Sequence, residues 1–246
     1  MYNFFVDKSK ITSGIARIDG ADYNHIKNVL RMKLGEQFLI SCEGVSSLCT
    51  IKEFLDGCCL AEITKDNFQD TSLPIKITLF QGLPKSDKLE LIIQKAVELG
   101  VSEISPVAME RSVVKLDQNK KDSKTARWQA IAESAAKQSK LCFIPKVNSP
   151  VRLSDVISGL SEFDLILVPY ESQNGMKETL EALSTIKSGQ KVGIVIGPEG
   201  GFSQKEIDLL KNSGAKIISL GKRILRTETA AITALSMLML YSELKI

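Results

Sequence analysis

Histidine is nearly absent: His25 is the only one in 246 residues. That excludes a histidine-rich metal cage and makes histidine-based proton transfer a poor starting point. Cysteine is sparse and badly spaced. Cys42, Cys49, Cys58, Cys59 and Cys142 are an odd number with no C-x-x-C pair, and adjacent Cys58 and Cys59 suit neither tetrahedral zinc nor an ordinary disulfide. Buried thiols in a reducing compartment are the expectation. No apolar run reaches the roughly 20 residues needed to span a bilayer. Residues 1–7 show no basic region followed by a long apolar one, so they do not read as a secretory signal, and the expected location is the cytoplasm. Composition excludes disorder and collagen-like repeats: 43% of residues are hydrophobic and 25% charged.

Strong net charge is also missing. The total is +3, but it is unevenly spread. Residues 1–70 hold 8 Lys and Arg against 10 Asp and Glu, whereas residues 111–146 hold 9 against 3. A local basic surface is therefore available on a protein that is not itself basic.

What is present falls into two patterns. The first seventy residues read as short strands at 4–6, 37–40, 47–51 and 60–64, with turn signals at Glu43-Gly44 and Asp56-Gly57. One short helix is expected over 21–31, with Tyr23, Ile26, Val29 and Leu30 on one face. Together these predict a small closed or half-closed β-barrel. Residues 65–74 are polar, end in Pro74 and are the expected linker.

From residue 75 strand and helix alternate. Strands are expected at 75–80, 103–107, 164–168, 191–196 and 216–220. Ser86 is placed to cap a helix carrying Leu89, Ile92, Ile93, Ala96 and Val97, with Gly100 as its stop. Helices are also expected over 125–139 and 227–244, and Ser203-Gln204-Lys205-Glu206 is a capping box. This predicts an α/β domain with a parallel sheet covered on both faces.

Ligands of open parallel sheets sit beyond the carboxyl ends of the strands. Three such ends carry unusual residues: Val168-Pro169-Tyr170-Glu171, then Ile196-Gly197-Pro198-Glu199-Gly200-Gly201-Phe202, then Leu220-Gly221-Lys222-Arg223-Ile224-Leu225-Arg226-Thr227-Glu228. The second is not a phosphate cradle: it has neither the P-loop spacing with its lysine nor G-x-G-x-x-G, which disfavours an adenine-nucleotide enzyme. Glycine-rich loops of this kind serve either as tight turns into a helix or as places where bare backbone meets a ligand. Arg226 opens an otherwise apolar helix, where the dipole disfavours positive charge. It is either a solvated arginine or one held for an anionic group.

At these loops the sequence resembles the ribosomal RNA small subunit methyltransferase E family, a branch of the SPOUT superfamily. The matching strings are Gln81-Gly82-Leu83-Pro84-Lys85, Lys95-Ala96-Val97-Glu98-Leu99-Gly100, Ile196 to Phe202, and Leu220-Gly221 with Arg223 to Ala230. His25, Val29, Leu30 and Arg31 fit the family's His-x-x-x-Val-Leu-Arg pattern, so the resemblance spans nearly the whole chain. One segment departs from it. Where relatives show Glu-Gln-Ser-Gly-Arg, this chain has Lys137-Gln138-Ser139-Lys140-Leu141.

The resemblance implies a C-terminal α/β trefoil-knotted domain over 71–246 and an N-terminal PUA-like β-barrel over 1–70 that binds RNA. It implies a homodimer that uses S-adenosylmethionine, with the active site near the subunit interface, to methylate N3 of a uridine near the 3′ end of 16S rRNA in the small ribosomal subunit. The cofactor would lie against Val168, Pro169, Tyr170, Ile196, Gly197, Pro198, Glu199, Gly200, Gly201, Leu220, Gly221, Ile224, Leu225 and Arg226. Methyl transfer from a sulfonium calls for alignment and needs no metal. Uracil N3 must lose a proton, and stabilising the resulting anion is the expected device: Arg226 does this, with Glu228 or Glu199 positioning groups nearby.

Candidate RNA contacts are Lys27, Arg31, Lys85, Arg111 and Lys140, the last within a basic stretch over 115–140 that could equally be a solvated face. Trp128 either stacks on a base or packs in the core. His25 is an RNA contact or a local structural residue. Two other functions stay open on the sequence alone: a SPOUT methyltransferase acting on another rRNA or tRNA position, and a non-catalytic RNA-binding assembly factor.

Overall fold

A computed structural model describes residues 1–113, 118–171 and 175–245. Lys115, at the head of the basic stretch, lies outside them. The described chain forms two compact units. One comprises Met1–Ser72 with Ala136–Ile144, the other Leu73–Ala135 with Pro145–Ile246.

The first unit is built on β1 (Asn3–Phe5), β2 (Ile11–Thr12), β3 (Ile15–Asp19), α1 (Gly20–Asn24), β4 (Gln37–Cys42), β5 (Val45–Leu55) and β6 (Cys58–Gln69). The strands make one six-stranded sheet in the order β1-β4-β5-β6-β3-β2. Alternation of side chains buries Phe4, Ala16, Ile18, Phe38, Ile40, Cys49, Ile51, Cys59 and Ala61 in one core, with Ile26. Phe4 and Phe38 meet edge to face at 5.4 Å. Burial pushes the thiol of Cys49 up to about 12 and that of Cys59 to about 11, so both stay protonated and unreactive at neutral pH.

Two expectations need correction here, and one strand was not expected. The polar residues 65–69 are not linker: they continue β6, because Leu48 pairs with Lys65 and Ser46 with Gln69. The strand Ile15–Asp19 was too short and mixed to read from sequence, yet it pairs with β6 from Glu62 to Cys58. Val29 does not share the inner face. The helix widens into a π turn over His25–Val29, and Val29 is 64% exposed.

Residues 140–142 are fastened to this unit by polar contacts. Asn3 Nδ2 donates to Leu141 O, Thr71 Oγ1 donates to Lys140 O, and Cys142 N donates to Thr71 Oγ1. Lys137 Nζ pairs with Asp22 Oδ1 at 3.0 Å.

The second unit contains β7 (Lys76–Gly82), α2 (Lys88–Glu98), β8 (Glu103–Ala108), most of α3 (Gln118–Ser139), β9 (Lys146–Val147), β10 (Val151–Arg152), α4 (Leu153–Gly159), β11 (Leu165–Pro169), α5 (Lys177–Ser184), β12 (Lys191–Ile196), α6 (Gln204–Asn212), β13 (Lys216–Ile218) and α7 (Thr227–Lys245). The sheet order is β10-β8-β7-β12-β11-β13, with β9 beside β8, and all these pairings are parallel. One core gathers Phe80, Val107, Val168 and Val195 with Leu153 and Val156 of α4 and Ile207 and Leu210 of α6. The alternate residues Ile77, Leu79, Ile104, Leu167 and Ile194 are fully buried as well, and α7 packs on α2 and β12. A sheet covered on both faces is the outcome the apolar runs predict.

The five apolar positions of α2 are buried as expected, and Gly100 follows at φ +83°. Ser86 is not its cap. Ser86 takes a left-handed φ of +54°, and Asp87 stands at the cap position without a side-chain hydrogen bond. The capping box of α6 is present: Glu206 N donates to Ser203 Oγ and Ser203 N to Glu206 Oε2. Trp128 is 5% exposed and takes the core role.

Candidate active site

The carboxyl ends of β11, β12 and β13 open together. Ile196, the last residue of β12, pairs with Gln81 of β7, and Pro169 of β11 pairs with Ile218 of β13. The loops that follow enclose a cleft of about 460 Å³, within the range of about 300–1,000 Å³ usual for small-ligand sites. Three stretches far apart in sequence line it: 169–171, 196–202 and 219–227, with Lys88 and Ala230. Of the expected cofactor residues, Val168 alone is not on its wall; that side chain sits in the core.

The loop after β12 is held from several sides. Pro198 crosses directly over Gly82, where a β-carbon would stand 2.6 Å from the Pro198 nitrogen, so only glycine fits. Arg111 Nη1 donates to Gly200 O at 3.0 Å. Glu206, buried, accepts from Glu110 N at 2.8 Å and thereby ties the end of β8 to α6. The loop after β13 turns at Gly221 with φ +108°. It is anchored by Thr179 of α5, whose hydroxyl donates to Ser219 O and accepts from Ser219 N at 2.9 and 3.0 Å.

Charge at the cleft centres on Lys88, at the start of α2. Its Nζ lies 3.1 Å from Glu199 Oε1 and 3.5 Å from Glu228 Oε2. Lys85 N also donates to Glu199, at 3.0 Å. Burial pushes the Glu199 carboxyl up, but the N–H groups of Lys85 and Glu199 and the Lys88 ammonium outweigh it and hold the group below the usual carboxylate range. The hydrogen bond to Glu199 in turn raises Lys88. Glu228 Oε2 is buried with no hydrogen-bond partner among the described residues, although it faces that ammonium. Arg226 is exposed on the cleft wall, one residue before α7. Thr227 Oγ1 donates to Gly197 O and accepts from Gln81 Nε2, which joins the start of α7 to the loop after β12.

Sequence reasoning brought together Arg226, Glu228 and the three loops, and missed Lys88, Gln81, Thr227 and Thr179. Lys88 carried a readable signal: like Arg226, it is a cation at a helix start, where only nearby carboxylates make it comfortable. Of the expected RNA contacts, Lys85 and Arg111 touch the 199–200 loop. Lys27, Arg31 and Lys140 belong to the first unit. There Lys27 Nζ is 2.7 Å from the Tyr23 hydroxyl and 5.9 Å from the Phe54 ring centre. His25 is also in that unit, edge-on to Phe4.

The residues on the cleft wall fit an adenosine bearing a cationic tail. Pro169, Ile196, Leu220 and Leu225 offer apolar surface, the glycine loops offer backbone groups, and Glu199 offers a carboxylate.

Known proteins resemble this chain. The family model for an RNA methyltransferase domain matches residues 71–239, and that for an RNA methyltransferase PUA domain matches residues 18–52. The ribosomal RNA small subunit methyltransferase E of Bacillus subtilis is 38% identical over 234 residues, covering 92% of this chain and 90% of that protein. The protein of that name from Mesomycoplasma hyopneumoniae is 34% identical over 237 residues, covering 96% and 98%. The crystal structure of a ribosomal RNA small subunit methyltransferase E from Neisseria gonorrhoeae, bound to S-adenosyl methionine, is similar with a TM-score of 0.82 at 28% identity, over 98% of this chain and 97% of that one.

Proposed function

Because the chain belongs to the ribosomal RNA small subunit methyltransferase E family, we propose that it methylates N3 of a uridine near the 3′ end of 16S rRNA. It is an S-adenosylmethionine-dependent methyltransferase of small-subunit rRNA. The observation that supports a cofactor site here is the convergence of three sequence-distant strings, each at a strand end, on one cleft.

When bound, S-adenosylmethionine supplies a methyl group on a sulfonium, an electrophile ready for in-line displacement. The backbone of residues 197–201 and 220–225 would hold the adenosine, with Pro169 and Tyr170 on one side of the cleft. Arg226 presents its guanidinium to the negative charge that develops on uracil as N3 loses its proton. Lys88, itself paired with Glu199, holds the Glu228 carboxylate at 3.5 Å, and Glu228 in this way helps to position the start of α7 beside the cleft. Alignment and charge stabilisation together account for the catalysis.

Residues 1–70 act as the PUA-like, barrel-type RNA-binding part and 71–246 as the catalytic part. Lys27, Arg31, Lys85, Arg111 and Lys140 contact RNA phosphates. The catalytic part is knotted: the hydrogen bond from Thr227 to Gly197 and the packing of α7 on α2 and β12 support a chain that passes under the loop after β12. The protein works as a homodimer. Supporting this, α7 leaves Leu240 52% and Leu244 75% exposed beside Leu183, Ile232, Met237 and Tyr241, an apolar strip that a second copy would cover. It works in the cytoplasm, a reading that an rRNA substrate supports.

The test is mass mapping of rRNA after small subunits are incubated with the protein and labelled S-adenosylmethionine. One 3-methyluridine near the 3′ end is expected. Label at another nucleotide would reassign the target, and absence of label would overturn the reading.

A further inference from the structure

The face of β7 that carries Ile77, Leu79 and Gln81 is apolar except at one place. Ile77 and Leu79 are fully buried hydrocarbons; Gln81 is equally buried, at 0% exposure, and carries an amide. Its neighbours settle how that amide is turned. Nε2 donates to Gly82 O at 2.9 Å and to Thr227 Oγ1 at 2.9 Å. A carbonyl can only accept, so the nitrogen must face this side. With one lone pair of the Thr227 hydroxyl engaged by Gln81, its proton is directed to Gly197 O. The donors therefore run one way, from β7 through the first residue of α7 to the loop after β12. The arrangement leaves Gln81 Oε1 buried with no hydrogen-bond partner among the described residues. An unmet buried acceptor is destabilising, and a methionine of similar volume would fill the space without it. Packing alone does not explain an amide here.

We propose that Gln81 is a positioning residue for methyl transfer: its amide turns the Thr227 hydroxyl onto the Gly197 carbonyl and so fixes the start of α7, with Arg226 and Glu228, against the glycine loop of the cleft. The proposal rests on the methyltransferase reading of that cleft. Arg226 immediately precedes Thr227 and Glu228 immediately follows it, so a rotation at Thr227 moves both.

The test compares Gln81→Met, Thr227→Ser, Thr227→Val and the double variant Gln81→Met/Thr227→Val. Melting temperature, S-adenosylmethionine affinity by calorimetry, and kcat and KM for small subunits are measured. Gln81→Met is expected to melt no lower than wild type, bind the cofactor about fivefold more weakly, and lose kcat about thirtyfold with KM unchanged, the pattern of a lost positioning contact. Thr227→Val repeats this loss, while Thr227→Ser stays within about threefold of wild type because the hydroxyl is retained. The double variant loses no more than the worse single one, since the two residues act as a unit. Wild-type kcat and affinity in Gln81→Met, or losses that multiply in the double variant, would overturn the proposal. Should Gln81→Met not fold, equal activity of Thr227→Ser and Thr227→Val would do so. If wild type itself bound no S-adenosylmethionine, the methyltransferase reading would fall, and this proposal with it.

Discussion

The nitrogen of Pro198 passes so close to Gly82 that a β-carbon on the glycine would lie 2.6 Å away, with the proline Cδ at 2.7 Å. Two strand ends, of β7 and β12, are thereby locked backbone to backbone at the floor of the cleft. Gly82→Ala forces the loop after β12 to shift, because neither contact is the end of a flexible side chain. A loss of about 2 kcal/mol is expected for such overpacking, or roughly 4–8 °C in melting temperature for a chain of this size. Scanning calorimetry of the variant checks it; unchanged melting would show that the loop yields freely.

Arg226 is exposed on the cleft wall and has a role only if charge develops beside it. Arg226→Ala should keep S-adenosylmethionine affinity within about threefold and lose kcat by about a hundredfold or more, the usual scale for removing one stabilising donor. Single-turnover methylation assays separate the two effects. Full activity in the variant would remove Arg226 from the mechanism.

The Lys88–Glu199 pair makes the loop sensitive to acid. The folded protein holds the Glu199 carboxyl below its ordinary value. Its contribution to stability is therefore present above the unfolded value of about 4.3 and disappears as pH falls through the lowered folded value. Lys88 is raised, so its own contribution is complete below the ordinary lysine range and fades only in strong alkali. The melting temperature of Glu199→Gln should thus lie below wild type at pH 7, and the two should converge as pH falls through the lowered folded value. A gap that persists in acid would mean that Glu199 acts by shape, not charge.

RNA binding through phosphates must depend on salt. The logarithm of affinity for small-subunit RNA should fall linearly with the logarithm of salt, and each of Lys27→Glu and Arg111→Glu should flatten the slope by about one. Filter binding between 50 and 200 mM salt, about the range where this term dominates, provides the measurement. A flat response in wild type would return the basic residues to the role of a solvated face.

Much of this was legible in the sequence where the signals are local. The run Lys191–Ile196 is a strand and Ser203 with Glu206 is a capping box because neighbouring residues decide both. Residues 65–69 misled because their polarity reads as a loop, while pairing with β5 makes them strand. Strands as short as Ile11–Thr12 and Val151–Arg152 exist only through their partners and leave no periodic trace. The cleft follows the same division. Its glycine loops could be read directly, but the link from Gln81 to Thr227 spans 146 positions and only the fold brings it about. Lys140 is instructive in another way. Within the segment that departs from the family resemblance, Lys140 takes φ +61° just past the end of α3, backbone of the kind glycine favours.

The most direct measurement is a crystal structure of the protein grown with S-adenosylmethionine. The account predicts adenosine density between residues 197–201 and 220–225, with the methyl-bearing end toward Arg226. Density at any other place on the molecule, with those two loops closed on each other, would contradict it.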